Sequence, residues 1–232
     1  MTPEPMGTLY AGTSGFSYQS WRGGFYPEKL PESRMLDHYA RQLNGVELNG
    51  SFYRTPPETT LQRWAAETPA GFRFCFKAQR GLTYSAAAFD KEGLARVVGS
   101  RLAGVGQRLG PVLVQFPATT APQPELLDRV LEALGLRPAV EFRNPAWFAE
   151  EVYGVLRARG AALVVTDQEE WPRAPRVETG ALAYYRLRRE YDRAALEAWR
   201  RELRAEAAAR EEVHVYFRHV EEGPGRARFM LE

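Results

Sequence analysis

Residues 111–143, PVLVQFPATTAPQPELLDRVLEALGLRPAVEFR, place a strand, a helix and a second strand in one short stretch. The run Pro111–Phe116 is apolar and rich in β-branched residues, and Pro117 ends it. Apolar side chains recur at helical spacing in Glu125–Leu134, and Ala139–Arg143 alternates apolar with polar residues. Strands that alternate with a helix in this way are typical of a parallel sheet. This stretch therefore predicts an α/β fold.

The same pattern continues toward both ends of the chain. Eight β-type runs are predicted: Thr8–Ser14, Gly45–Asn49, Phe72–Ala78, Pro111–Phe116, Ala139–Arg143, Ala161–Asp167, Leu182–Leu187 and Val213–Arg218. Helices are predicted at Glu32–Leu43, Glu58–Glu67, Asp90–Arg108, Glu125–Leu134 and Asp192–Arg210, with one more that starts after Asn144-Pro145 and ends near Gly160. Eight strands in 232 residues fit a TIM-like (β/α)8 barrel better than an open doubly wound sheet. We expect a single domain over residues 1–232.

Two parts of the predicted barrel are irregular. Pro172 and Pro175 lie within residues 168–180, so the sixth crossover is expected to lack a proper helix. The chain ends shortly after the eighth strand, so the last helix is expected to be short or absent.

Composition excludes several classes of protein. The formal net charge is only +2, which argues against a protein that coats DNA through overall basicity. Cys75 is the only cysteine, which excludes intramolecular disulfides and Cys-rich zinc sites. We see no signal peptide and no apolar run of ~18 residues, so a cytoplasmic location without membrane insertion is expected.

Polar residues lie late in the strands and on one face. In the second strand, Val46 and Leu48 share the face opposite Glu47 and Asn49, because side chains alternate along a strand. The carboxyl ends of barrel strands form the mouth where such enzymes place their chemistry. The residues expected to converge there are Glu47, Asn49, Lys77, Gln115, Glu141, Arg143 and Asp167, with Tyr185 or Arg186 and Tyr216 or Arg218. A buried salt-bridge network that only fills the bore is the alternative to a ligand site.

The blocks GTSGFSYQSWRGGFYP, VELNGSFYRTP, FRFCFKA, VLVQFP and VEFRNPAWF occur in this order from Gly12 to Phe148, with Asp167 later. They closely resemble the YecE-like family called domain of unknown function 72. The resemblance implies a TIM-like barrel whose function is unsettled. It also implies a common site made of Thr13, Ser14, Tyr18, Trp21, Glu47, Asn49, Phe52, Tyr53, Arg54, Lys77, Gln115, Glu141 and Arg143.

The last third departs from that family. Its members usually end the seventh strand with an Arg-x-His-Gly-like motif, where this chain reads YYRLRREY from Tyr184. They usually end the eighth strand with Phe-Asn-Asn, where this chain reads YFRHVEEG from Tyr216. Arg186 keeps its place in the motif, but a reaction that depends on the other positions does not carry over.

The residue types suggest roles for this mouth. The proposed catalytic residues are Glu47, Lys77, Glu141 and Asp167, of which Glu47, Glu141 or Asp167 would move protons and Lys77 would help Arg143 and Arg186 to hold the anion. The proposed substrate-binding residues are Thr13, Ser14, Tyr18, Trp21, Asn49, Tyr53, Gln115, Arg143 and Arg186. We expect Glu47, Lys77, Glu141 and Arg143 to form a charge-compensated cluster with capacity for an anion. The histidines are too few and too scattered for a zinc site, and no cofactor is predicted. Mg²⁺ or Mn²⁺ at the carboxylates stays open.

Three functions fit these residues. The first is an enzyme acting on a small phosphate- or carboxylate-bearing substrate, and the second is a non-catalytic nucleic-acid binder that uses the same cations and aromatic rings. The third is a degenerate barrel kept for protein interaction. A closed pocket of ~300–1,000 Å³ favours the first function, and a long open cationic groove favours the second. The absence of both features favours the third.

Overall fold

The computed structural model describes residues 7–84 and 89–232. Within them lie nine strands: β1 Thr8–Thr13, β2 Gly45–Leu48, β3 Arg73–Lys77, β4 Leu109–Phe116, β5 Pro138–Phe142, β6 Ala162–Leu163, β7 Val165–Asp167, β8 Leu182–Leu187 and β9 Glu212–Phe217. The α-helices are α1 Met35–Ala40, α2 Glu58–Ala66, α3 Gly81–Tyr84, α4 Lys91–Ala103, α5 Pro124–Leu134, α6 Glu150–Ala158, α7 Arg193–Ala209 and α8 Gly223–Leu231. None of the helices in this part of the chain is long and apolar enough to cross a membrane.

All strand pairs are parallel, which confirms the predicted α/β architecture. The ladders form a four-stranded sheet in the order β1-β9-β8-β7 and a five-stranded sheet in the order β2-β3-β4-β5-β6. The predicted sixth strand is divided at Val164, whose N–H donates to the Val140 carbonyl at 2.9 Å. Its first part, β6, pairs with β5, and its second part, β7, pairs with β8.

Most connections between the strands agree with the helices predicted from the sequence. The sixth one, between β7 and β8, contains no helix, as Pro172 and Pro175 predict. The last helix, expected to be short or absent, is α8 with nine residues. The helix predicted to start after Asn144-Pro145 begins later than expected. The Asn144 side chain accepts from Ala146 N at 3.0 Å, but it caps only a 3-10 turn, and α6 begins at Glu150.

Two apolar layers separate the faces of the strands. The outer layer packs between strands and helices and includes Val46, Phe74, Val114 and Val140. A second cluster on the inner face consists of Cys75, Leu113, Ala139, Ala162, Val164, Leu182, Tyr184 and Tyr216. The alternation read from the sequence therefore separates outward from inward side chains. The inner cluster forms an apolar floor beneath the carboxyl ends of the strands, an end that we call the mouth.

A close approach of β1 to β2 shapes one side of the mouth. A Cβ atom on Gly12 would lie 1.8 Å from the Gly45 carbonyl oxygen, so only glycine fits there. Just beyond, Ser14 bridges to Glu47, and the Gly15 N–H donates to the Glu47 carbonyl at 2.8 Å. This approach brings the Ser14 hydroxyl within reach of the Glu47 side chain.

Candidate functional site

Glu47, on β2, is fully buried at the mouth and surrounded by donors. Arg186 approaches it through Nε at 2.8 Å and Nη2 at 2.9 Å, and Arg188 donates through Nη2 at 2.6 Å. Three uncharged donors complete the shell: Ser14 Oγ at 2.9 Å, Tyr184 Oη at 3.0 Å and Asn49 Nδ2 at 3.2 Å. Burial alone raises the pKa of Glu47, but the Arg186 and Arg188 guanidinium groups lower it well below its usual range. This carboxylate is held ionised.

Glu141, on β5, is the second buried carboxylate. It accepts from Arg186 Nη1 at 2.5 Å, from Gln115 Nε2 at 2.8 Å and from Arg143 Nε at 3.3 Å. Burial opposes its charge, but the Arg186 and Arg143 guanidinium groups lower the pKa of Glu141 below its ordinary value. Arg186, only 6% exposed, thus bridges two carboxylates contributed by different strands.

Lys77, on β3, joins this group through an amide. Its ammonium donates to Gln115 Oε1 at 2.8 Å and lies 4.1 Å from the centre of the Phe52 ring. Burial and the nearby Arg186 lower the pKa of Lys77 to about 8. No carboxylate of the described residues forms an ion pair with Lys77, which reaches Glu141 only through Gln115. Arg186 pairs with Glu47 and Glu141 instead.

Arg143 lies at the edge of the cluster. Its guanidinium pairs with Glu141 on one side, and the Trp171 ring covers its face at 4.5 Å. Trp171 belongs to the crossover that has no helix. The irregular segment therefore supplies a ring that fixes a cation at the mouth.

A cavity of about 440 Å³ opens above the cluster. It is lined by Ser14, Asn49, Phe52, Tyr53, Lys77, Gln168, Glu170, Arg186, Arg188, Arg218 and His219. Four of these residues are cations, and one is a carboxylate. The cavity thus presents mostly positive charge.

Two further predicted residues support the mouth in different ways. The Tyr18 hydroxyl donates to the Ser14 carbonyl at 2.6 Å, and its ring stacks on His219 at 4.8 Å between centroids. Tyr53 is 76% exposed at the rim of the cavity. Tyr18 braces one wall, and Tyr53 offers a free aromatic face.

Three predicted site residues lie elsewhere. Asp167 shares the outward face of β7, where its carboxylate accepts from Tyr191 Oη at 2.9 Å, so it does not join the cluster. Trp21 is 1% exposed and donates to the Val220 carbonyl at 3.1 Å, which makes it a packing residue rather than a wall of the cavity. The Thr13 hydroxyl points away, bonding the Gly15 carbonyl at 2.7 Å.

Two contributors were not predicted from the sequence: Tyr184 on β8 and Arg188 just after it. Arg188 lies two residues after Arg186 and therefore shares its face, and Tyr184 lies two residues before it. Tyr216 and Arg218 were treated as alternatives, but residues two apart point the same way. The structure buries Tyr216 in the floor and places Arg218 at the cavity. The period of two was the signal that identifies all of them.

A second polar network lies inside the floor. Tyr216 Oη lies 3.0 Å from both Cys75 Sγ and His214 Nδ1, and His214 Nε2 lies 3.0 Å from Glu212 Oε2. Cys75, His214 and Tyr216 are fully buried, and burial raises the pKa of the Cys75 thiol and lowers that of His214. This network bonds internally and contributes no residue to the lining of the mouth cavity.

The carboxylates at the mouth do not suit a metal ion. Over residues 7–84 and 89–232, no three His, Cys, Asp or Glu side chains gather in a way that could hold a metal. Glu47 and Glu141 direct their oxygens at arginines, and Asp167 lies apart. Mg²⁺ or Mn²⁺ at these three carboxylates therefore does not fit the geometry.

Comparison with known proteins identifies relatives. The family described as "Protein of unknown function DUF72" matches residues 10–232. The UPF0759 protein YecE of Escherichia coli K12 is 32% identical over 169 residues, which cover 68% of this chain and 59% of that protein. The match therefore spans less than two thirds of that relative.

Solved structures agree at the level of the fold. A DUF72 family protein from Thermotoga maritima superposes with a TM-score of 0.81 at 26% identity, covering 96% of each chain. D-psicose 3-epimerase from Clostridium cellulolyticum H10, determined with D-tagatose, gives a TM-score of 0.51 at 10% identity, covering 96% of this chain and 91% of that one. The second likeness shows a shared TIM-like α/β fold and nothing about substrate.

Proposed function

This chain belongs to the DUF72 family, whose function is unknown, and we propose that it is an enzyme acting on a small phosphate- or carboxylate-bearing substrate at the mouth. The observation that carries the proposal is the cavity of about 440 Å³, lined by Lys77, Arg186, Arg188 and Arg218 against Glu170 alone. Its volume lies within the ~300–1,000 Å³ range of small-molecule sites.

The two buried carboxylates act in this proposal as positioning residues. Both are held ionised by arginines, so neither is suited to exchange a proton near neutral pH. They fix Arg186 in one orientation, and a rigid cation recognises an anion with little loss of conformational freedom. Asp167 has no part in the proposal, because Tyr191 already binds its carboxylate.

Lys77 is the proposed proton-transferring residue. Its pKa of about 8 lies close to neutral pH, where both the charged amine and the free amine are accessible. The ammonium lines the cavity, and Gln115 anchors it on the side toward Glu141. A substrate held by Arg188 and Arg218 would meet this amine.

The proposal includes a closed barrel formed by a single domain. The bridge between Ser14 and Glu47 supports contact between β1 and β2 at one boundary of the two sheets. At the other boundary, β6 and β7 are consecutive segments separated by Val164 alone. The single cysteine, a free thiol, suits the cytoplasmic location that the sequence suggests.

Nucleic-acid binding is the second candidate. The rim residue Tyr53 is 76% exposed next to Phe52, and an exposed ring beside cations can stack on an unpaired base. Such binding would use the same cations for backbone phosphates, and it would weaken steeply with salt.

Lys77→Met tests the enzyme proposal, with Lys29→Met as the matched control at an exposed position outside the mouth. The purified proteins are incubated with a pool of phosphate- and carboxylate-bearing metabolites, and mass spectrometry follows the loss of each compound. We expect wild type and Lys29→Met to convert at least one compound, and Lys77→Met to convert it at least 100-fold more slowly. Equal conversion by Lys77→Met would contradict the role of the amine. An absence of any conversion, with single-stranded oligonucleotide binding detected by fluorescence anisotropy, would favour the second candidate.

A further inference from the structure

The charges at the mouth do not balance. Five cations line the cavity or pair directly beneath it: Lys77, Arg143, Arg186, Arg188 and Arg218. Three carboxylates accompany them: Glu47, Glu141 and Glu170. Five cations and three carboxylates leave an excess of two positive charges. Glu170 lies on the exposed rim, where solvent screens its charge.

The excess is located on particular side chains. Arg186 and Arg143 are committed to Glu47 and Glu141. Lys77 has Gln115 as its hydrogen-bond acceptor and forms no ion pair with any described residue. The Arg218 side chain, exposed at the cavity, has no hydrogen bond or ion pair within the described ranges.

Arg188 is the third cation directed at the cavity. Its side chain is 9% exposed and donates to Ser14 Oγ, to the Phe217 carbonyl and to Glu47. Glu47 already carries the two bonds from Arg186, so one carboxylate is shared by two guanidinium groups. A second negative charge near Arg188 would complete the pairing of these cations, since buried charge is costly until it is paired.

We infer that the mouth is built for a dianion and that its ligand is a phosphate monoester rather than a carboxylate or a phosphodiester. This inference rests on the proposed function and narrows its substrate class. A carboxylate or a diester brings one negative charge and leaves one cation uncompensated. A phosphate monoester near neutral pH brings close to two charges, with three terminal oxygens that cations on different strands can approach.

The dianion gives binding a distinctive pH dependence. A phosphate monoester loses its second charge below about pH 6, so its affinity falls on the acid side. Lys77 loses its proton above its pKa of about 8, so the affinity falls again on the alkaline side. The other titratable groups facing this space are Glu47 and Glu141, held ionised, the rim residues Glu170 and Tyr53, and His219, whose pKa is lowered by burial and by Arg188. A carboxylate ligand would show the alkaline limb only.

Methyl phosphate and methyl sulfate make the direct test, because they share a shape and differ by one charge above pH 6. Isothermal titration calorimetry on the full chain at pH 7 is expected to show methyl phosphate binding at least tenfold tighter than methyl sulfate, acetate or dimethyl phosphate. At pH 5 the preference over methyl sulfate is expected to shrink to less than threefold. A 5′-phosphorylated oligonucleotide, compared with its unphosphorylated form, shows whether the monoester can also come from a nucleic-acid end.

Arg218→Gln supplies the variant, with Arg96→Gln as a matched control on an exposed position of α4, outside the lining of the mouth cavity. Neither arginine forms an ion pair within the described residues, so both variants are expected to fold. Arg218→Gln should lower the methyl phosphate preference at least threefold, and Arg96→Gln should leave it unchanged. Equal binding of methyl phosphate, methyl sulfate and acetate would overturn the dianion inference but leave the proposed function standing. No binding of any of these anions at millimolar concentration would overturn both.

Discussion

Replacement of Arg186 by Met is expected to destabilise the fold by about 3–5 kcal/mol, the cost of breaking a buried ion pair from one side. Arg186 donates two hydrogen bonds to Glu47 and one to Glu141, and both carboxylates are almost completely buried. Met keeps most of the stem volume and removes the charge. Glu47 would retain Arg188, and Glu141 would retain Arg143, so the loss is expected at the lower end of this range. Against a total stability of ~5–15 kcal/mol, it would still be a large fraction.

Urea denaturation followed by far-ultraviolet circular dichroism measures this loss, with Lys77→Met as the comparison. Lys77→Met removes one hydrogen bond to Gln115 and one contact with the Phe52 ring, so it should cost less than about 2 kcal/mol. The difference in unfolding free energy between wild type and Arg186→Met should stay nearly constant from pH 7 to about pH 5 and should narrow as the pH falls below about 4.3. Arginine lowers the folded-state pKa of both carboxylates, so its stabilisation is present above their unfolded pKa of about 4.3 and is lost as pH falls toward the folded values. A free energy of unfolding for Arg186→Met within 1 kcal/mol of wild type at pH 7 would refute the reasoning.

Cys75, buried with a raised pKa, should not react with a thiol reagent in the native protein and should react fully in urea; rapid native labelling would contradict its burial. Burial lowers the pKa of His214. As the pH falls below about 6.5, the His214 imidazole therefore gains a proton in the unfolded chain before it does so in the folded protein. The free energy of unfolding, measured by urea denaturation, should therefore fall by up to about 1.4 kcal/mol for each pH unit below that point. In His214→Gln, the free energy of unfolding should depend less on pH over the same range. Tyr184→Phe removes one donor from Glu47 and should cost about 1–3 kcal/mol in the same assay. Asp167→Asn should leave methyl phosphate affinity within twofold by calorimetry, and a larger change would return Asp167 to the site.

Strand alternation predicted most of the site, because the period of two is strict wherever one face packs against helices. It placed Glu47, Gln115 and Glu141 correctly. It did not place Asp167, because the alternation runs through Val164 without a shift. Ala162 and Val164 lie in the inner cluster, Leu163 and Val165 lie in the outer layer, and Asp167 shares the outward face with Val165. Every residue from Ala161 to Val165 is small or apolar, so this run does not show which of its two faces points inward.

The aromatic residues show a different limit. Trp21 and Tyr53 both lie on loops after strands, and composition does not distinguish a ring that anchors its loop from one that faces a ligand. The difference is made by a distant partner, since Val220, 199 residues away, accepts the Trp21 N–H. The same limit applies to Lys77 and Arg186. Strand order made Lys77 a close neighbour of the carboxylates, but the longer, forked guanidinium of Arg186 reaches both of them.

Three of the positions where this chain departs from the sequences it resembles line the cavity. Arg188 stands where the resembled motif usually has histidine, and Arg218 and His219 stand where it usually has asparagines. All three side chains line the same cavity as Lys77. An arginine keeps its charge at every physiological pH, whereas a histidine or an asparagine does not. The exchange therefore adds fixed positive charge to a site whose carboxylates are unchanged. On this reasoning, restoring the usual residues as the double variant Arg188→His, Arg218→Asn should leave Arg186 and its two carboxylates in place and reduce the preference for methyl phosphate over methyl sulfate at pH 7. If the double variant kept the full preference, Lys77 and Arg186 would be sufficient to select the dianion, and the charge excess at these positions would have another purpose.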